Sequence, residues 1–172
     1  MSTRPIIHEV IRDVVSEVKT SLGLPVLTFM YGTMNELISD LHSMSMEQTA
    51  AKKKYPLIWL PMDITERYSN DNSFGVSVRL IICHATDSNY TTAKRYEHSF
   101  TPVLQPIYEE LLKQISLSSD IADASEFMID HQKTDRVHWG KSALISQDGQ
   151  GLDFVDAIEI ENLQLNLKFK NC

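Results

Sequence analysis

Three side chains in one short stretch have the types that bind a transition metal: His131, Asp135 and His138. Imidazole nitrogens and carboxylate oxygens are common zinc ligands, and zinc can activate water for hydrolysis. The stretch is polar, and the sequence offers no second set of ligands beside it. We therefore favour surface histidines over a metal centre and predict a protein without a metal or other cofactor. A small metal-dependent hydrolase remains a third hypothesis.

Two other patterns suggest catalysis more weakly. Cys83 and His84 are a nucleophile and a base, but neighbouring residues of a strand point to opposite faces of a sheet and cannot form a dyad. The run DGQG at 148–151 is similar to a phosphate or calcium loop, yet no lysine or acidic series follows it. A hairpin turn is the better interpretation of that run. Neither pattern identifies a catalytic site.

Four residues are the best candidates for contact with another protein. Lys52, Lys53 and Lys54 come directly before the apolar run LIWL at 57–60. Three positive charges at a loop tip suit an acidic neighbour or a phosphate backbone, although the run is too short to bind nucleic acid alone. Trp139 stands beside Gly140 and is predicted to be an exposed contact residue. We predict these three lysines and Trp139 as a subunit or partner interface.

Length and charge limit the class of protein. A chain of 172 residues with 42% hydrophobic and 23% charged residues is typical of one globular domain with its own core. The net charge of −7 argues against a general nucleic-acid binder, which usually has a basic face. The first 107 residues hold 11 acidic and 10 basic side chains, against 12 and 6 in the remainder. We expect the C-terminal part to form the acidic surface.

The two cysteines, Cys83 and Cys172, do not suggest a disulfide framework, so a reducing compartment is expected. The N-terminal stretch has no long apolar core or cleavage signature, which argues against a signal peptide. No run approaches the roughly 18 apolar residues that a membrane span needs. We expect a soluble protein made in the cytosol that does not contact a membrane.

Hydrophobic spacing predicts the order helix, strand, long loop, strand, strand, helix, strand, strand. Apolar residues recur at helical spacing from 6 to 18 and again from 96 to 115, whereas 76–82 and 158–169 alternate or nearly alternate. This pattern predicts a single α+β domain over 1–172, an antiparallel sheet with helices packed on one face. The first half of the stretch 34–54 is compatible with a short helix, whereas residues 43–54 are predicted to be a long mobile loop and 116–147 an insertion.

Proline and glycine positions add local expectations. Gly23 should end the first helix in a left-handed conformation. Pro61 should place the strand at 57–67 at a sheet edge or break it with a bulge. Pro102 and Pro106 should kink the long helix or divide it in two, with Thr101 capping the second part. A slip in the alternation near Asn162 predicts a bulge in the last strand.

The order of elements, together with two motifs, resembles one protein family. The motifs are YPLIWL, which opens the strand after the long loop, and the polar hinge HATDSNYTTAKRY before the long helix. With the final strand DAIEIENLQLNLKF, they resemble the tail-terminator or tail-completion proteins of tailed bacteriophages, over nearly the whole chain. The phrase YPLIWLPMDITERY is similar to sequences from phages of Bacteroidetes-type hosts, crAss-like phages among them.

The resemblance implies a structural virion protein of the phage neck or tail, and not an enzyme. Such a head-tail connector or tail terminator forms a ring with copies of itself, joins the portal or connector to the tail, and lines the DNA conduit. Its partners would be neighbouring portal, connector and tail proteins, with double-stranded DNA passing through without sequence-specific contact. It would be assembled in the host cytoplasm and located in the virion. The alternative is an adaptor or assembly chaperone that binds one partner and forms no ring.

Overall fold

The structure is a computed structural model that describes residues 4–68, 73–122, 129–139 and 153–169. The helices are α1 Ile7–Ser21, α2 Met34–Met46, α3 Gln48–Ala51, α4 Thr92–Arg95 and α5 Gln105–Leu117, and a π-helical segment, Tyr96–Leu104, joins the last two. The strands are β1 Thr28–Gly32, β2 Leu57–Pro61, β3 Thr65–Tyr68, β4 Ser73–Ala85, β5 Gln132–Trp139 and β6 Val155–Lys168. None of the described helices is both long and apolar enough to cross a membrane.

The six strands form one sheet in the order β1-β2-β4-β6-β5, and β3 pairs with β4 beyond the end of β2. Only β1 and β2 run parallel; the pairs β2–β4, β3–β4, β4–β6 and β5–β6 are antiparallel. The long strands β4 and β6 lie at the centre and pair along almost their whole length. The predicted α+β class with a mostly antiparallel sheet is confirmed.

The main core lies between one face of this sheet and a layer formed by α1, the π-helical segment and α5. The apolar stripe of α1 faces the sheet through Val10, Ile11, Val14 and Val18, as the helical spacing predicts. Alternate residues of the central strands, such as Leu80 and Ile158, point into the same core. The strands present one apolar face to these helices because their side chains alternate.

A second core lies on the opposite face, which the expected placement of helices on one face did not include. Leu37 and Leu41 of α2 pack there against residues of the central strands, including Trp59 and Ile81. Thr33 and Glu36 form a capping box at the start of α2, and these bonds lower the pKa of the Glu36 carboxyl. Both faces are therefore covered where α2 lies, so the strands beneath it are apolar on both sides.

Residues 43–54, predicted to be a loop, are helical for most of their length. α2 continues to Met46, and α3 follows after one residue. The polar composition of the segment concealed this structure, since only Leu37 and Leu41 of α2 are fully buried. Mobility of the segment, and its ordering on assembly, stay predictions.

Pro61 divides the predicted strand into two, where an edge strand or a bulge was expected. β2 ends at Pro61 and the chain resumes as β3 at Thr65, with both strands pairing to β4. The edge-strand alternative is wrong for β2, which lies between β1 and β4, but it fits β3, which pairs with β4 alone among the described strands. Proline is tolerated there because it stands at the last position of the strand, where no ladder donor is needed.

Three other local expectations can be compared directly. Gly23 has φ 60°, and the amide of Leu24 donates to the carbonyl of Lys19 at 3.0 Å, so α1 ends in a Schellman motif as predicted. Asn162 has φ 54° beside a register shift between β4 and β6, which confirms the bulge. Pro102 does not divide the long helix; the wider π-helical turns include it instead.

The α5 helix offers a matched pair of substitutions for testing the main core. Leu111 is fully buried, whereas Leu117 on the same helix is 67% exposed. We predict that Leu111→Ala lowers the free energy of unfolding by about 2–5 kcal/mol, since it leaves a cavity. Leu117→Ala should change it by less than about 0.5 kcal/mol. Urea unfolding followed by circular dichroism measures both, and equal effects would contradict the assigned core.

Candidate functional site

The three candidate metal ligands do not converge on one point. The Nδ1–H of His131 donates to the carbonyl of Ile129 at 2.7 Å, and its Nε2 lies 2.7 Å from the Tyr108 hydroxyl. Asp135 accepts hydrogen bonds from Tyr96 at 3.0 Å and from Lys133 at 2.6 Å. Within the described ranges, no group of three or more His, Cys, Asp or Glu side chains is placed to hold a metal ion.

His138 has a different environment, at the far end of β5. Its Nε2 lies 2.9 Å from the Nη2 of Arg95. This contact draws the ring toward the start of the long helix and away from His131. The structure therefore gives these histidines separate packing roles and brings none of them to a shared ligand position.

Cys83 and His84 point to opposite faces of the sheet, as predicted. Cys83 is buried in the second core, where burial raises the pKa of its thiol. Burial lowers the pKa of His84, and the nearby Asp156 carboxylate opposes this shift only in part. The two cannot act as a nucleophile and its base. The DGQG run at 148–151 lies outside the described residues.

The lysine run divides into two exposed residues and one buried residue. Lys52 and Lys53 are exposed, but Lys54 is only 4% exposed. The ammonium of Lys54 pairs with the Asp153 carboxylate and donates to the Ser45 hydroxyl at 2.7 Å. The expectation of an exposed Lys54 at a loop tip is therefore wrong, and its place in a subunit interface stays a prediction. Its charge is used inside the chain, because burial of an ammonium group requires a partner.

Lys54 also lines an open cleft of about 630 Å³ between the end of α3 and the end of β4. Tyr55 lies in the same cleft, where burial and then the negative charge of Asp153 raise the pKa of its hydroxyl. The cleft presents an ion pair that is already satisfied and a phenol that stays protonated. Neither group is activated for chemistry.

The predicted contact residue Trp139 is half-buried. Its ring packs against Trp59 with centroids 6.0 Å apart, and its Nε1–H donates to Glu159 at 2.6 Å. Glu159 is buried and also binds Arg79 at 2.9 Å and Arg136 at 3.0 Å. The expectation of a freely exposed indole is wrong, because this carboxylate and the second core hold most of the ring.

Sequence reasoning missed the most enclosed polar contact in the described chain. Arg95 is 1% exposed and Asp156 is fully buried, and they form an ion pair at 2.8 Å. The guanidinium of Arg95 also donates to the backbone carbonyls of Tyr90 at 3.1 Å and Asp87 at 2.8 Å. It therefore joins the turn after β4, the first helical turn and the start of β6. Arg95 follows Lys94 in a polar stretch of the sequence, so no local pattern indicated its burial.

The edges of the sheet are the remaining candidate for function. At the start of β1, the amide of Thr28 donates to the carbonyl of Pro56 at 2.9 Å. At its end, the carbonyl of Gly32 accepts from the amide of Met62 at 3.2 Å. Because backbone groups alternate along a strand, Phe29 and Tyr31 direct their N–H and C=O groups away from β2. The described part of the chain supplies no strand on that side.

The opposite edge, β5, has a different character. Its residues 132–136 pair regularly with β6, after which the register shifts before Trp139. His138 in this bulge has φ 51°. The strand carries Lys133, Asp135 and Arg136, in contrast to the aromatic residues of β1. The sheet therefore ends in two chemically different edges, which is the feature most suited to binding another chain.

Comparison of the sequence with models of known protein families found no match, and none of the curated proteins is significantly similar to it. The structural features above are therefore the basis for a functional proposal.

We predict that Arg95→Met lowers the free energy of unfolding by about 3–5 kcal/mol, since it leaves the Asp156 carboxylate buried without its charge partner. The double variant Arg95→Met/Asp156→Leu should recover much of that loss, because no unpaired charge remains. Urea unfolding of the three proteins measures the difference. A single variant as stable as the wild type would contradict the structural role of the pair.

Glu159 predicts a pH dependence. Burial alone would raise the pKa of its carboxyl, but the hydrogen bonds from Arg136 and Trp139, with the charge of Arg79, lower it overall. The ionised Glu159 carboxylate should stabilise the fold at pH values above its pKa in the unfolded chain, about 4.3. This stabilisation should be lost as the pH falls through the lower pKa that the carboxyl has in the folded protein. Glu159→Gln should therefore lose less stability than the wild type between about pH 5 and pH 3.

The control for this experiment is Glu109→Gln, which removes an exposed carboxylate from α5. It should retain the wild-type dependence of unfolding free energy on pH. A Glu159→Gln curve parallel to that of the wild type would show that the Glu159 cluster does not contribute to acid sensitivity.

Proposed function

We propose that this chain is a structural virion protein that forms a ring in the neck or tail of a tailed bacteriophage. In this role it joins the portal or connector to the tail and surrounds the DNA conduit. The proposal combines the sequence resemblance with one observation, the two chemically different edges at opposite ends of the sheet. A ring built by rotation needs a heterologous contact, in which two unlike surfaces of each copy meet.

The exposed lysines support a contact near β1. The hydroxyl of Thr28, the first residue of β1, donates to the carbonyl of Lys53 at 2.5 Å. Lys52 and Lys53 therefore lie beside the start of the strand whose outer edge is open. Exposed charges at the rim of an interface act mainly on the encounter rate and on the alignment of the partners.

The acidic surface expected from the C-terminal part is smaller than its composition suggests. Asp135, Asp153, Asp156 and Glu159 each form an ion pair with a basic side chain of the same chain. On α1, Glu9, Asp13 and Glu17 are all exposed and follow each other at four-residue intervals, and of these Asp13 pairs with Arg12 at 3.7 Å. A surface of this charge would not hold passing DNA tightly, which suits a conduit.

A non-ring adaptor or assembly chaperone is the second candidate, and the open β1 edge also favours it. An exposed edge can accept an extended segment of a partner through main-chain hydrogen bonds. The two functions differ in stoichiometry, because an adaptor uses one edge and a ring uses two.

We predict that the purified protein, or the protein mixed with its neck partners, forms closed rings of defined copy number. Native mass spectrometry gives the copy number, and negative-stain electron microscopy shows the closure. A protein that stays monomeric at high concentration and also with partners present would contradict the ring proposal and favour the adaptor.

A charge-reversal variant tests the lysine contact. Lys52→Glu/Lys53→Glu should fold normally, since each exposed charge contributes about 0–1 kcal/mol to stability. It should form rings more slowly at low salt, with a smaller difference at high salt, where the charges are screened. The control Lys94→Glu/Lys113→Glu makes the same charge change at exposed sites on α4 and α5. Equal assembly rates for both variants would place the contact elsewhere.

A further inference from the structure

We infer, building on the proposed ring, that the β1 edge of one copy pairs antiparallel with residues 132–136 of β5 in the next copy. The occupant of each edge is thus a second copy of the same chain, and the sheets of neighbouring copies join into a continuous sheet around the ring. The inference rests on backbone groups, exposed side chains, strand length and strand direction.

The β1 edge has the hydrogen-bonding groups that a new strand requires. Phe29 and Tyr31 direct two N–H and two C=O groups away from β2, as the bonds at Thr28 and Gly32 imply. Within the described residues, no backbone group bonds to these four. Such a row of unpaired groups binds another strand by extending the ladder.

The side chains around this edge form an apolar rim. Tyr31 is 50% exposed and its ring stacks on His8 of α1, with centroids 4.3 Å apart. Ile6, two residues before His8, is 50% exposed, and Met62, bonded to Gly32, is 53% exposed. Apolar side chains grouped at an open strand edge indicate a surface that becomes covered by another protein.

The β5 edge has the right length and a defined stop. Its residues 132–136 form five regular pairs with β6, and β1 also has five residues. The shift before Trp139 twists the strand away from the regular ladder, so a docked strand cannot extend past it. The bulge therefore fixes how far β1 of a neighbour can slide.

Strand direction favours this pair over the alternatives. β1 and β6 run the same way, and β5 runs opposite to β6, so β1 and β5 are antiparallel within each copy. Copies related by rotation about an axis along the strands keep that direction, which makes the new β1–β5 contact antiparallel. Antiparallel pairing is the slightly more stable arrangement. In this antiparallel pair the start of β1 meets the end of the neighbour's β5, so Lys53, which lies beside Thr28, comes near the neighbour's Trp139.

Two other contacts need to be distinguished. A β1–β1 contact about a two-fold axis would bury the apolar rim, but it would stop at a dimer. Among the described strands, β3 also has an open outer side, but it has only four residues, against the five of β1 and the five regular pairs of β5. A contact through β3 would form a shorter ladder of hydrogen bonds, so β3 is the less favourable site.

Engineered disulfides identify the contact directly. Tyr31, Lys133 and Asp135 point to the same face of the sheet, toward α1 or the long helix. In a Cys172→Ser background, Tyr31→Cys is combined with Lys133→Cys or with Asp135→Cys, because the exact register sets which pair meets. After oxidation with copper phenanthroline, we expect one of the double variants to give a ladder of crosslinked oligomers ending at the full ring.

The single variant Tyr31→Cys is the control and should give no crosslinked product. Dimers from Tyr31→Cys alone would show the two-fold β1–β1 contact and overturn the inference. Rings visible by electron microscopy with no crosslinking in either double variant would also overturn it, while the ring function would stand. A protein without rings or crosslinks would contradict both.

A second pair of variants avoids engineered cysteines. Tyr31→Lys places a charge at the β1 edge and should reduce ring formation at least tenfold, with an unchanged circular dichroism spectrum. Tyr68→Lys makes the same change at an exposed tyrosine on β3 and should leave ring formation unaffected. The reverse result, with loss only in Tyr68→Lys, would assign the contact to β3 and overturn the inference.

Discussion

The central antiparallel pair β4–β6 must bury both of its faces over part of its length, and much of the fold follows from this requirement. Leu80 and Ile158 face the layer of α1 and the long helix, while Ile81 and Ala157 face α2. Neither layer alone could cover a strand pair that is apolar on both sides. The helix α2, which sequence periodicity hardly reveals, is therefore as necessary to the fold as the strongly amphipathic α1.

Carboxylates at and just before the start of β6 hold the surrounding elements to this pair. Asp153 binds Lys54 from the segment after α3, Asp156 binds Arg95 at the start of the long helix, and Glu159 binds Arg79 and Arg136 from the flanking strands. Because a buried charge is costly without a partner, each pair fixes the position of its basic residue. Much of the C-terminal acidity thus serves internal structure, and a smaller part of it is available to an external partner than the composition suggests.

Within the described residues, the sheet is closed at its centre and open at its ends. The β1 edge there carries aromatic residues and backbone groups that bond to no other described strand, and the β5 edge carries charged residues and a bulge. A protein that works alone usually protects both edges, whereas a protein that assembles needs at least one that is free. This asymmetry connects the fold to the proposed ring more directly than any side-chain cluster, since the cleft beside Lys54 holds an ion pair that is already satisfied and the described residues include no group placed to hold a metal ion.

Local patterns determined the α+β class, the stripe of α1, the Gly23 cap, the break at Pro61 and the bulge at Asn162, because each depends on backbone preferences or on periodicity within a few residues. The sequence alone could not put α2 on the second face of the sheet, bury Lys54 or join Arg95 to Asp156. Those outcomes depend on residues far apart in the chain, such as Lys54 and Asp153, that meet only when the sheet forms. The half-buried state of Trp139 has the same origin, since its partners Trp59 and Glu159 lie on other strands. Local sequence encodes preferences of the backbone, whereas the burial and pairing of charges are decided by tertiary contacts.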